Sequence, residues 1–236
     1  MTNNTNNKEL EPPQHIGYIV DGNRRWARQH GLPSYEGHLA GYNAIQDVAR
    51  ATFDAGVPYM SAYIFSTENW KRSEDEVRKL MGLVLRLLSA DLHIFSDSNI
   101  RLRILGSREG VDQKILKEID RAEEETRDNT AGTLAICFNY GGQLEIAEAV
   151  QKAASAGESM KDMSPDTLAQ YMYAPDIPPV DLIVRSGGDQ RISNFMLWRA
   201  AYSEMMFLDN AWPDMTKEDV SAIIEEYNNR NRRFGK

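Results

Sequence analysis

Short apolar runs alternate along the chain with longer segments whose apolar residues recur at helical spacing. The runs are rich in β-branched and aromatic residues, as is typical of strands that are buried on both faces. This pattern predicts strands at 16–20, 59–65, 100–105, 132–138, 180–184 and 205–208, and helices at 42–55, 74–95, 111–127, 144–154 and 217–228. Strands that alternate with helices form parallel βαβ units. We therefore predict a single α/β domain with a mostly parallel six-stranded sheet flanked by helices.

The first fourteen residues differ from the rest of the chain. They are rich in Asn and almost free of large apolar side chains, so they lack the apolar core of a signal peptide. We expect residues 1–14 to form a flexible tail and residues 15–236 to form the folded domain.

Composition narrows the class of protein. Hydrophobic residues make up 42% and charged residues 26% of the chain, which is ordinary for a soluble globular protein. The longest apolar stretch, 80–95, is interrupted by Arg86, Asp91 and His93 and is not expected to span a bilayer. A single cysteine, Cys137, excludes an intramolecular disulfide. A cytoplasmic location is the simplest expectation.

The net charge of −8 argues against non-specific binding to nucleic acid or to an anionic membrane surface. An anionic ligand would therefore need a local concentration of arginine. Arginines do occur in clusters that follow the predicted strands, and these clusters carry the candidate chemistry.

Four predicted strands end in polar or glycine-rich clusters: Asp21-Gly-Asn-Arg-Arg25, Ser66-Thr-Glu-Asn-Trp70, Asn139-Tyr-Gly-Gly142 and Arg185-Ser-Gly-Gly-Asp-Gln-Arg191. The carboxyl ends of parallel strands lie along one edge of a sheet, so these clusters should share one crevice. We expect that crevice to combine two sets of side chains, the carboxylates of Asp21, Glu68, Asp189 and Glu204 and the guanidinium groups of Arg25, Arg72, Arg185 and Arg191. Arginine binds phosphate oxygens, and carboxylates bind Mg²⁺ that is held against phosphates. The residues alone thus predict a Mg²⁺-dependent diphosphate enzyme.

Other phosphate chemistries lack their usual motifs. The chain has no Gly-x-x-x-x-Gly-Lys-Ser/Thr loop and no Gly-x-Gly-x-x-Gly after a strand. The absence of these motifs argues against a nucleoside triphosphatase and against a dinucleotide-binding protein. It also lacks Asp-Asp-x-x-Asp, the metal motif of all-helical isoprenoid synthases. The first cluster could still be a surface turn in which Asp21 only caps the next helix.

Six segments closely resemble the cis-prenyltransferase family, to which undecaprenyl diphosphate synthase belongs. They follow the family's order from residue 15 to residue 207: His15-Ile-Gly-Tyr-Ile-Val-Asp-Gly-Asn-Arg-Arg-Trp-Ala-Arg28, Gly37-His-x-x-Gly41, Phe65-Ser-Thr-Glu-Asn-Trp-Lys-Arg72, Asn139-Tyr-Gly-Gly142, Asp181-Leu-Ile-Val-Arg-Ser-Gly-Gly-Asp-Gln-Arg-Ile-Ser-Asn-Phe195 and Trp198-Arg-Ala-Ala-Tyr-Ser-Glu-Met-Met-Phe207. The resemblance implies condensation of isopentenyl diphosphate with an allylic diphosphate, farnesyl or geranyl diphosphate, to form a Z-polyprenyl diphosphate.

The resemblance also implies roles for individual residues. Asp21 and Glu204 would bind Mg²⁺, and Asp21 would help the allylic diphosphate to leave. The allylic diphosphate would be held by residues of the first cluster and by one histidine: Gly22, Asn23, Arg24, Arg25, Trp26 and His38. Isopentenyl diphosphate would be held in the last cluster, by Arg185, Arg191, Ile192 and Ser193.

Proton removal is implied for Asn69 together with Ser66, in a loop that also presents Thr67, Glu68, Trp70 and Arg72. An isolated amide is a poor base, so we expect Asn69 to position or relay while a diphosphate oxygen takes the proton. The terminal Arg233-Phe234-Gly235 resembles the family's Arg-x-Gly motif, which reaches into the partner subunit's site. It implies a homodimer.

An apolar product needs an apolar tunnel, expected between the sheet and the helices at 42–55 and 74–95. By periodicity alone, 80–88 could equally be ordinary core. Release of such a product further implies peripheral membrane association. Two residues give conflicting indications of the length of the prenyl product. Ile64 is bulkier than the residue common in long-chain members of the family, whereas Gly132 is small where a large residue can close the tunnel.

Two other functions remain to be weighed. The chain could be a non-catalytic subunit of a heteromeric prenyltransferase, but it retains the residues whose loss is compatible with such a role: Asp21, Asn23, Arg25, Asn69 and Glu204. It could also be an unrelated α/β phosphatase or nucleotide-binding protein. Departures from the family pattern, at Arg24, Ser34, Asp189 and Gln190, concern substrate detail rather than class.

Overall fold

The computed structural model describes residues 12–230. Six strands form one sheet: β1 His15–Ile19, β2 Tyr59–Ser66, β3 Ile100–Leu105, β4 Gly132–Tyr140, β5 Leu182–Arg185 and β6 Glu204–Phe207. Their order across the sheet is β3-β4-β2-β1-β5-β6, and every neighbouring pair is parallel. The predicted α/β class and six-stranded sheet are confirmed.

Helices and two short 3-10 turns connect the strands. The helices are α1 Asn23–Gln29, α2 Ser34–Asp54, α3 Glu74–Leu88, α4 Leu92–Asp97, α5 Gln113–Glu125, α6 Gly142–Ser155, α7 Pro165–Ala169 and α8 Lys217–Asn229, and the 3-10 turns are Thr67–Lys71 and Trp212–Asp214. Within residues 12–230, no helix is both long and apolar enough to cross a membrane.

Apolar side chains pack on both faces of the sheet. Ile16 and Tyr18 of β1 belong to the larger core, which α2, α3, α5 and α8 cover. Ile19 belongs to a second core on the other face, together with Phe195. Burial on both faces explains why the strands are continuous apolar runs and not alternating ones.

The helix predicted at 74–95 is wrong in one respect, because it is broken into α3 and α4. The break is at Asp91, whose carboxylate Oδ2 accepts hydrogen bonds from Tyr42 Oη at 2.6 Å and from Arg86 Nε at 2.8 Å. The Asp91 N–H donates to the Arg86 carbonyl at 3.0 Å. Tyr42 is distant in sequence, so no local pattern could reveal this anchor.

Helix α2 begins at Ser34 and not at Tyr42 as predicted. Gly37 and Gly41, which weaken the helical pattern, lie inside it. A Cβ atom at Gly37 would lie 2.0 Å from the Asn23 carbonyl oxygen, and one at Gly41 would lie 2.2 Å from Asn23 Oδ1. Both glycines therefore allow α2 to pack closely against the start of α1.

The chain enters the sheet through Pro12 to Gln14. Pro13 is buried, the Gln14 N–H donates to Asp181 Oδ2 at 2.7 Å, and the Tyr59 N–H donates to the Gln14 carbonyl at 3.1 Å. Residues 1–11 of the predicted flexible tail lie outside the described residues.

Candidate active site

The loops that follow β1, β2 and β5 meet at the carboxyl edge of the sheet. They line a cavity of about 510 Å³ whose polar residues are Asp21, Tyr63, Ser66, Glu68, Asn69, Arg72, Arg185, Ser193 and Asn194. A second cavity of about 340 Å³ is lined by 20–25, Arg28, His38 and Arg72. Asp21 and Arg72 line both cavities, so the two adjoin. Strand ends that are far apart in sequence thus form one crevice.

Asp21 lies between the two cavities, two residues beyond the end of β1. Its Oδ1 accepts a hydrogen bond from the Gly22 N–H at 2.7 Å, and its Oδ2 accepts one from Arg185 Nη2 at 2.7 Å. The Ser186 hydroxyl accepts from the Asp21 N–H at 3.0 Å and donates to the Asp21 carbonyl at 2.9 Å. About a third of the Asp21 side chain remains exposed. The carboxylate is therefore fixed in orientation and still open to a ligand.

The turn from β1 into α1 requires glycine at position 22. Gly22 has φ +96°, and a Cβ there would lie 2.9 Å from Ala211 Cα. Asn23 begins α1 and has a buried Oδ1 with no hydrogen-bond partner among the described residues. Trp26 lies on the next turn and donates from Nε1 to Asp214 Oδ1 at 2.6 Å.

The carboxylate of Asp189 forms ion pairs with three arginines at the entrance to the crevice. Its carboxylate lies 2.9 Å from Arg191 Nη2, 3.5 Å from Arg25 Nη2 and 3.9 Å from Arg185 Nη2. Burial alone would raise the pKa of Asp189, but the charges of Arg191, Arg185 and Arg25 outweigh it and lower that pKa. One carboxylate thus balances cations from both the first and the last sequence cluster.

Glu76 lies beside two arginines and a histidine at the other polar cavity. Its Oε1 lies 3.0 Å from Arg72 Nη1, 3.4 Å from His38 Nε2 and 3.9 Å from Arg24 Nε. Burial, followed by the charge of Arg72, lowers the pKa of His38, so the imidazole is mostly neutral at pH 7. The Ser73 side chain accepts from the Glu76 N–H at the start of α3, while the Glu76 carboxylate faces the arginines and His38.

Ser66 and Asn69 cap the 3-10 turn that follows β2. Asn69 Oδ1 accepts from the Ser66 N–H at 3.1 Å, and the Ser66 side chain accepts from the Asn69 backbone. Trp70 is 39% exposed and donates from Nε1 to Asn139 Oδ1 at 2.7 Å, which joins this turn to the end of β4. Trp70 is therefore not a core residue, and it packs edge-on against Phe65 beside the crevice.

Glu68 lies on the same turn and faces Asn194, whose Nδ2 donates to Glu68 Oε1 at 3.3 Å. Burial raises the pKa of Glu68, but hydrogen bonds from its own backbone and from Ser66, Asn194 and Thr67 outweigh burial. The net pKa is lower than usual, so the carboxylate is ionised at neutral pH.

Arg185 ends β5 and is almost completely buried. Its Nη1 donates to Ser193 Oγ at 2.7 Å and to the Arg191 carbonyl, while its Nε is buried without a hydrogen-bond partner among the described residues. Ile192 packs against the second core and anchors the loop that carries Ser193. The Arg185 guanidinium therefore keeps one donor that no described residue satisfies, beside the larger cavity.

A narrow apolar cavity of about 60 Å³ lies between the sheet and helices α2 and α3. It is lined by Val20, Asn23, His38, Gly41, Tyr42, Ile45, Ile64, Phe65, Leu80, Leu83, Val84 and Leu87. Val20, Asn23 and His38 also line the smaller polar cavity, so the polar and apolar spaces adjoin. Beside Gly132 there is no open space, because a Cβ there would lie 2.3 Å from the ring of Phe53.

Magnesium can be tested against the donor set. Within residues 12–230, no three His, Cys, Asp or Glu side chains form a group that could hold a metal ion. Mg²⁺ commonly takes only one or two protein carboxylates and completes its shell with water and substrate phosphates. The half-open carboxylate of Asp21, beside arginines that suit phosphate, fits an ion that is held jointly with a diphosphate.

The expectation that Glu204 shares the crevice with Asp21 of the same chain is wrong. Glu204 is the first residue of β6 and pairs with Leu182, whereas Asp21 follows Ile19, which pairs with Arg185. Five residue positions along the strand direction separate the two carboxylates, which is roughly 16 Å at about 3.3 Å per residue. Glu204 instead lies at the amino edge of the sheet, where Arg230 Nη1 is 3.2 Å from its Oε2.

Arg233 and Gly235, the predicted contribution to a partner subunit's site, lie outside the described residues. Three residues without an individual role in the predicted site contact its side chains: Glu76, Asn139 and Asn194. Asn139 and Asn194 lie within the candidate segments 139–142 and 181–195, and Glu76 follows Arg72 by one helical turn.

An open parallel sheet with an arginine-lined crevice at its carboxyl edge is the arrangement by which α/β proteins bind phosphorylated ligands. Comparison with known proteins narrows this class. The prenyltransferase family model described as "Putative undecaprenyl diphosphate synthase" matches residues 19–235.

Similar sequences and structures agree with the family model. An isoprenyl transferase from Thermotoga maritima is 43% identical over 226 residues, which cover 94% of this chain and 97% of that protein. A trans,polycis-polyprenyl diphosphate synthase, (2Z,6E)-farnesyl diphosphate specific, from Thermobifida fusca is 47% identical over 94% of this chain and 80% of its own. The crystal structure of lavandulyl diphosphate synthase from Lavandula x intermedia, in complex with dimethylallyl diphosphate, superposes with a TM-score of 0.91 at 28% identity, covering 95% of this chain and 99% of that one.

A probable undecaprenyl diphosphate synthase from Campylobacter jejuni has a TM-score of 0.82 at 30% identity, with 96% of this chain and 100% of that chain covered. The protein therefore belongs to the undecaprenyl diphosphate synthase family of prenyltransferases, and the resemblance seen in its motifs is confirmed. It is an enzyme that transfers prenyl groups.

Proposed function

We propose that residues 15–236 form a Mg²⁺-dependent cis-prenyltransferase that condenses isopentenyl diphosphate with farnesyl or geranyl diphosphate to make a Z-polyprenyl diphosphate. The observation that carries this proposal is the pair of adjoining polar cavities that share Asp21 and Arg72, one of which continues into an apolar cavity. The two polar cavities would take the two diphosphates, and the narrow apolar cavity would take the first part of the hydrocarbon tail.

The allylic substrate would occupy the smaller polar cavity. Gly22, Asn23, Arg24, Arg25 and His38 line it and would hold the diphosphate, while Trp26 supports the same turn from α1. Asn23 and His38 also line the apolar cavity, so the tail would pass between α2 and α3. That cavity is the proposed start of the tunnel for the growing chain.

Isopentenyl diphosphate would occupy the larger polar cavity. Arg185 and Ser193 line it, Arg191 lies at its entrance, and Ile192 fixes their loop against the core. Ser66 and Asn69 lie on the opposite wall, in the turn that also carries Thr67, Glu68 and Trp70. We propose that they position the group from which the proton is lost.

Catalysis would consist of assisted departure followed by condensation. The allylic carbon–oxygen bond breaks and the diphosphate leaves with the electron pair. The double bond of isopentenyl diphosphate forms the new carbon–carbon bond, and a diphosphate oxygen takes the proton whose loss forms the new double bond. Fixed arginines around Asp21 stabilise the negative charge that develops on the departing diphosphate. Mg²⁺, when bound at Asp21, would neutralise further charge on the same oxygens.

Glu204 keeps its proposed metal role only in an oligomer. It is at the opposite edge of the sheet from Asp21 of its own chain. We propose a homodimer in which Glu204, and with it Arg233 and Gly235, serves the site of the second chain. A cytoplasmic enzyme with peripheral membrane association would deliver the apolar product to a bilayer.

Direct assay of condensation tests the proposal. Purified protein would be incubated with Mg²⁺, radiolabelled isopentenyl diphosphate and either geranyl or farnesyl diphosphate, followed by chromatography of the dephosphorylated products. We expect diphosphate release and Z-prenyl alcohols longer than the acceptor. A preparation that hydrolyses simple phosphate esters but forms no longer prenyl product would contradict the proposal.

A further inference from the structure

Asn194 joins three segments around the larger polar cavity. Its Oδ1 accepts a hydrogen bond from the Gln143 N–H at 2.9 Å, and its carbonyl accepts one from the Gly142 N–H at 2.7 Å, both at the start of α6. Its Nδ2 donates to Glu68 Oε1 at 3.3 Å, on the 3-10 turn after β2. Within the described loop 186–199, Asn194 is the one residue that is hydrogen-bonded both to the start of α6 and to the 3-10 turn.

The loop around Asn194 is held in an unusual backbone conformation. Ser193, Asn194 and Met196 have φ of +49°, +64° and +44°, in the left-handed region that residues other than glycine rarely adopt. Asparagine tolerates this region well, whereas serine and methionine do not. A conformation of this kind persists only when surrounding contacts fix it. The hydrogen bonds of Asn194 are contacts of that kind.

The glycines of the Asn139-Tyr140-Gly141-Gly142 segment allow these contacts. A Cβ at Gly141 would lie 2.9 Å from Asn194 Nδ2 and 2.8 Å from Thr67 Oγ1. A Cβ at Gly142 would lie 3.0 Å from the Asn194 carbonyl oxygen. The two glycines thus let α6, the 3-10 turn and the Asn194 loop approach one another closely.

The residues on either side of Asn194, Ser193 in its own loop and Glu68 on the 3-10 turn, line the cavity proposed for isopentenyl diphosphate. Ser193 precedes Asn194 directly, and its Oγ accepts from Arg185 Nη1 at 2.7 Å. Glu68 is adjacent in sequence to Asn69, and both line the same cavity as Ser193. A shift of Asn194 would therefore move the two walls of that cavity relative to each other.

We propose that Asn194 is a positioning residue for isopentenyl diphosphate, which sets the distance between the Ser193 wall and the Asn69 wall of the cavity. This inference rests on the proposed function. It assigns Asn194 no contact with the reacting atoms, and it predicts an effect on one substrate and not on the other.

Asn194→Asp is the sharpest variant. Aspartate also tolerates left-handed φ and can accept from the Gln143 N–H, but it cannot donate to Glu68 and places a second carboxylate beside it. We expect the KM for isopentenyl diphosphate to rise at least tenfold, the KM for the allylic diphosphate to change less than twofold, and the melting temperature to fall by no more than about 3 °C. Asn194→Gly, which keeps the backbone freedom and loses both side-chain bonds, should show the same split.

A rescue experiment separates this role from general stability. In Glu68→Gln/Asn194→Asp, the amide and carboxylate exchange places and the hydrogen bond can form again. We expect its KM for isopentenyl diphosphate to fall below that of Asn194→Asp alone. Three outcomes in an active wild-type background would overturn the inference and leave the proposed function intact. Asn194→Asp could keep the wild-type KM for isopentenyl diphosphate, it could lose affinity for both substrates equally, or Glu68→Gln could fail to rescue it. A wild type without prenyl product would overturn the proposed function and the inference with it.

Discussion

Arg185 Nη2 donates a hydrogen bond to Asp21 Oδ2 at 2.7 Å, between the ends of two neighbouring strands. Nη1 of the same guanidinium donates to Ser193 Oγ at 2.7 Å. One buried side chain thus contacts a residue proposed to serve each substrate. Because the guanidinium is planar and rigid, its two contacts fix the separation between Asp21 and Ser193, and with it that of the two proposed diphosphate positions. Reaction between two bound substrates gains its rate from such fixed separation.

Removal of the Asp21 carboxylate should affect turnover far more than folding. Asp21→Ala loses the proposed metal ligand, and the loss of several kcal/mol of transition-state stabilisation corresponds to a fall in kcat of roughly 10³-fold or more. The cost to stability should be about 1–3 kcal/mol, because Arg185 loses one of its hydrogen-bonding partners. Diphosphate release and circular dichroism measure the two effects.

Asp176→Ala provides a matched control for Asp21→Ala. Asp176 is also an aspartate paired with arginines, at 3.1 Å from Arg101 Nη2 and 3.0 Å from Arg103 Nη2, but it lies outside the crevice. We expect this variant to keep kcat within about twofold, since exposed ion pairs contribute little. Global unfolding of Asp21→Ala by circular dichroism would instead make Asp21 a structural residue.

Two helical glycines should respond in opposite directions to alanine. Gly41→Ala would place a methyl group 2.2 Å from Asn23 Oδ1, so the Asn23 side chain, which is proposed to hold the allylic diphosphate, must move. We expect a loss of about 1–3 kcal/mol of stability and a KM for the allylic diphosphate raised roughly tenfold, which is about 1.4 kcal/mol of binding. Steady-state kinetics and thermal melting measure these changes.

Gly82→Ala is the matched substitution in α3. Nothing lies within 4 Å of a Cβ at Gly82, so the change should stabilise the helix by about 0.4–1 kcal/mol and leave both KM values unaltered. Equal kinetic effects of the two substitutions would show that the contact between Gly41 and Asn23 has no part in substrate binding.

The strands and their convergence could be predicted because both follow from local information. A short apolar run such as Ile16 to Ile19 followed by Asp21 and Gly22 predicts a strand and its end. Parallel topology then places the ends of all such strands at one edge of the sheet. The pairing of Glu76 with His38 could not be predicted in this way, since it depends on how α2 packs beside α3. The start of α2 was missed for a related reason, because glycine weakens a helical pattern while permitting close packing.

The misplacement of Glu204 had a different cause. The predicted strand at 205–208 already placed Glu204 at the beginning of a strand, and hence at the amino edge of a parallel sheet. Grouping Glu204 with the carboxylates that follow strands contradicts this consequence of topology, because Glu204 precedes its strand.

Histidine 15 should make stability depend on pH. His15 is fully buried, with Nδ1 2.9 Å from the Pro178 carbonyl and Nε2 2.7 Å from Ser61 Oγ, and burial lowers its pKa from 6.5 to about 4. Between these values the unfolded chain binds a proton that the folded chain does not, so stability falls as pH falls from about 6.5 to about 4. The loss at pH 5 should be about 2 kcal/mol relative to pH 8.

Two measurements check the role of His15. In wild-type protein, the imidazole signals of His15 in NMR spectra should not titrate above pH 5. His15→Gln removes this ionisation, so its free energy of unfolding should fall less than that of wild type between pH 8 and pH 5. A His15 signal that titrates near pH 6.5, or equal pH slopes for the two proteins, would contradict the prediction.

Mixed dimers test whether Glu204 serves the second chain. Asp21→Ala and Glu204→Ala should each be nearly inactive as homodimers, since every site then lacks one carboxylate. In a heterodimer of the two variants, the Asp21 of one chain and the Glu204 of the other restore one complete site. Random exchange in an equal mixture makes half of the dimers mixed, so activity should recover to roughly a quarter of wild type. Denaturation and joint refolding of the two variants, followed by the condensation assay, measures this recovery. If Glu204 acted within its own chain, no mixed dimer would contain a complete site and activity would stay at the level of the separate variants.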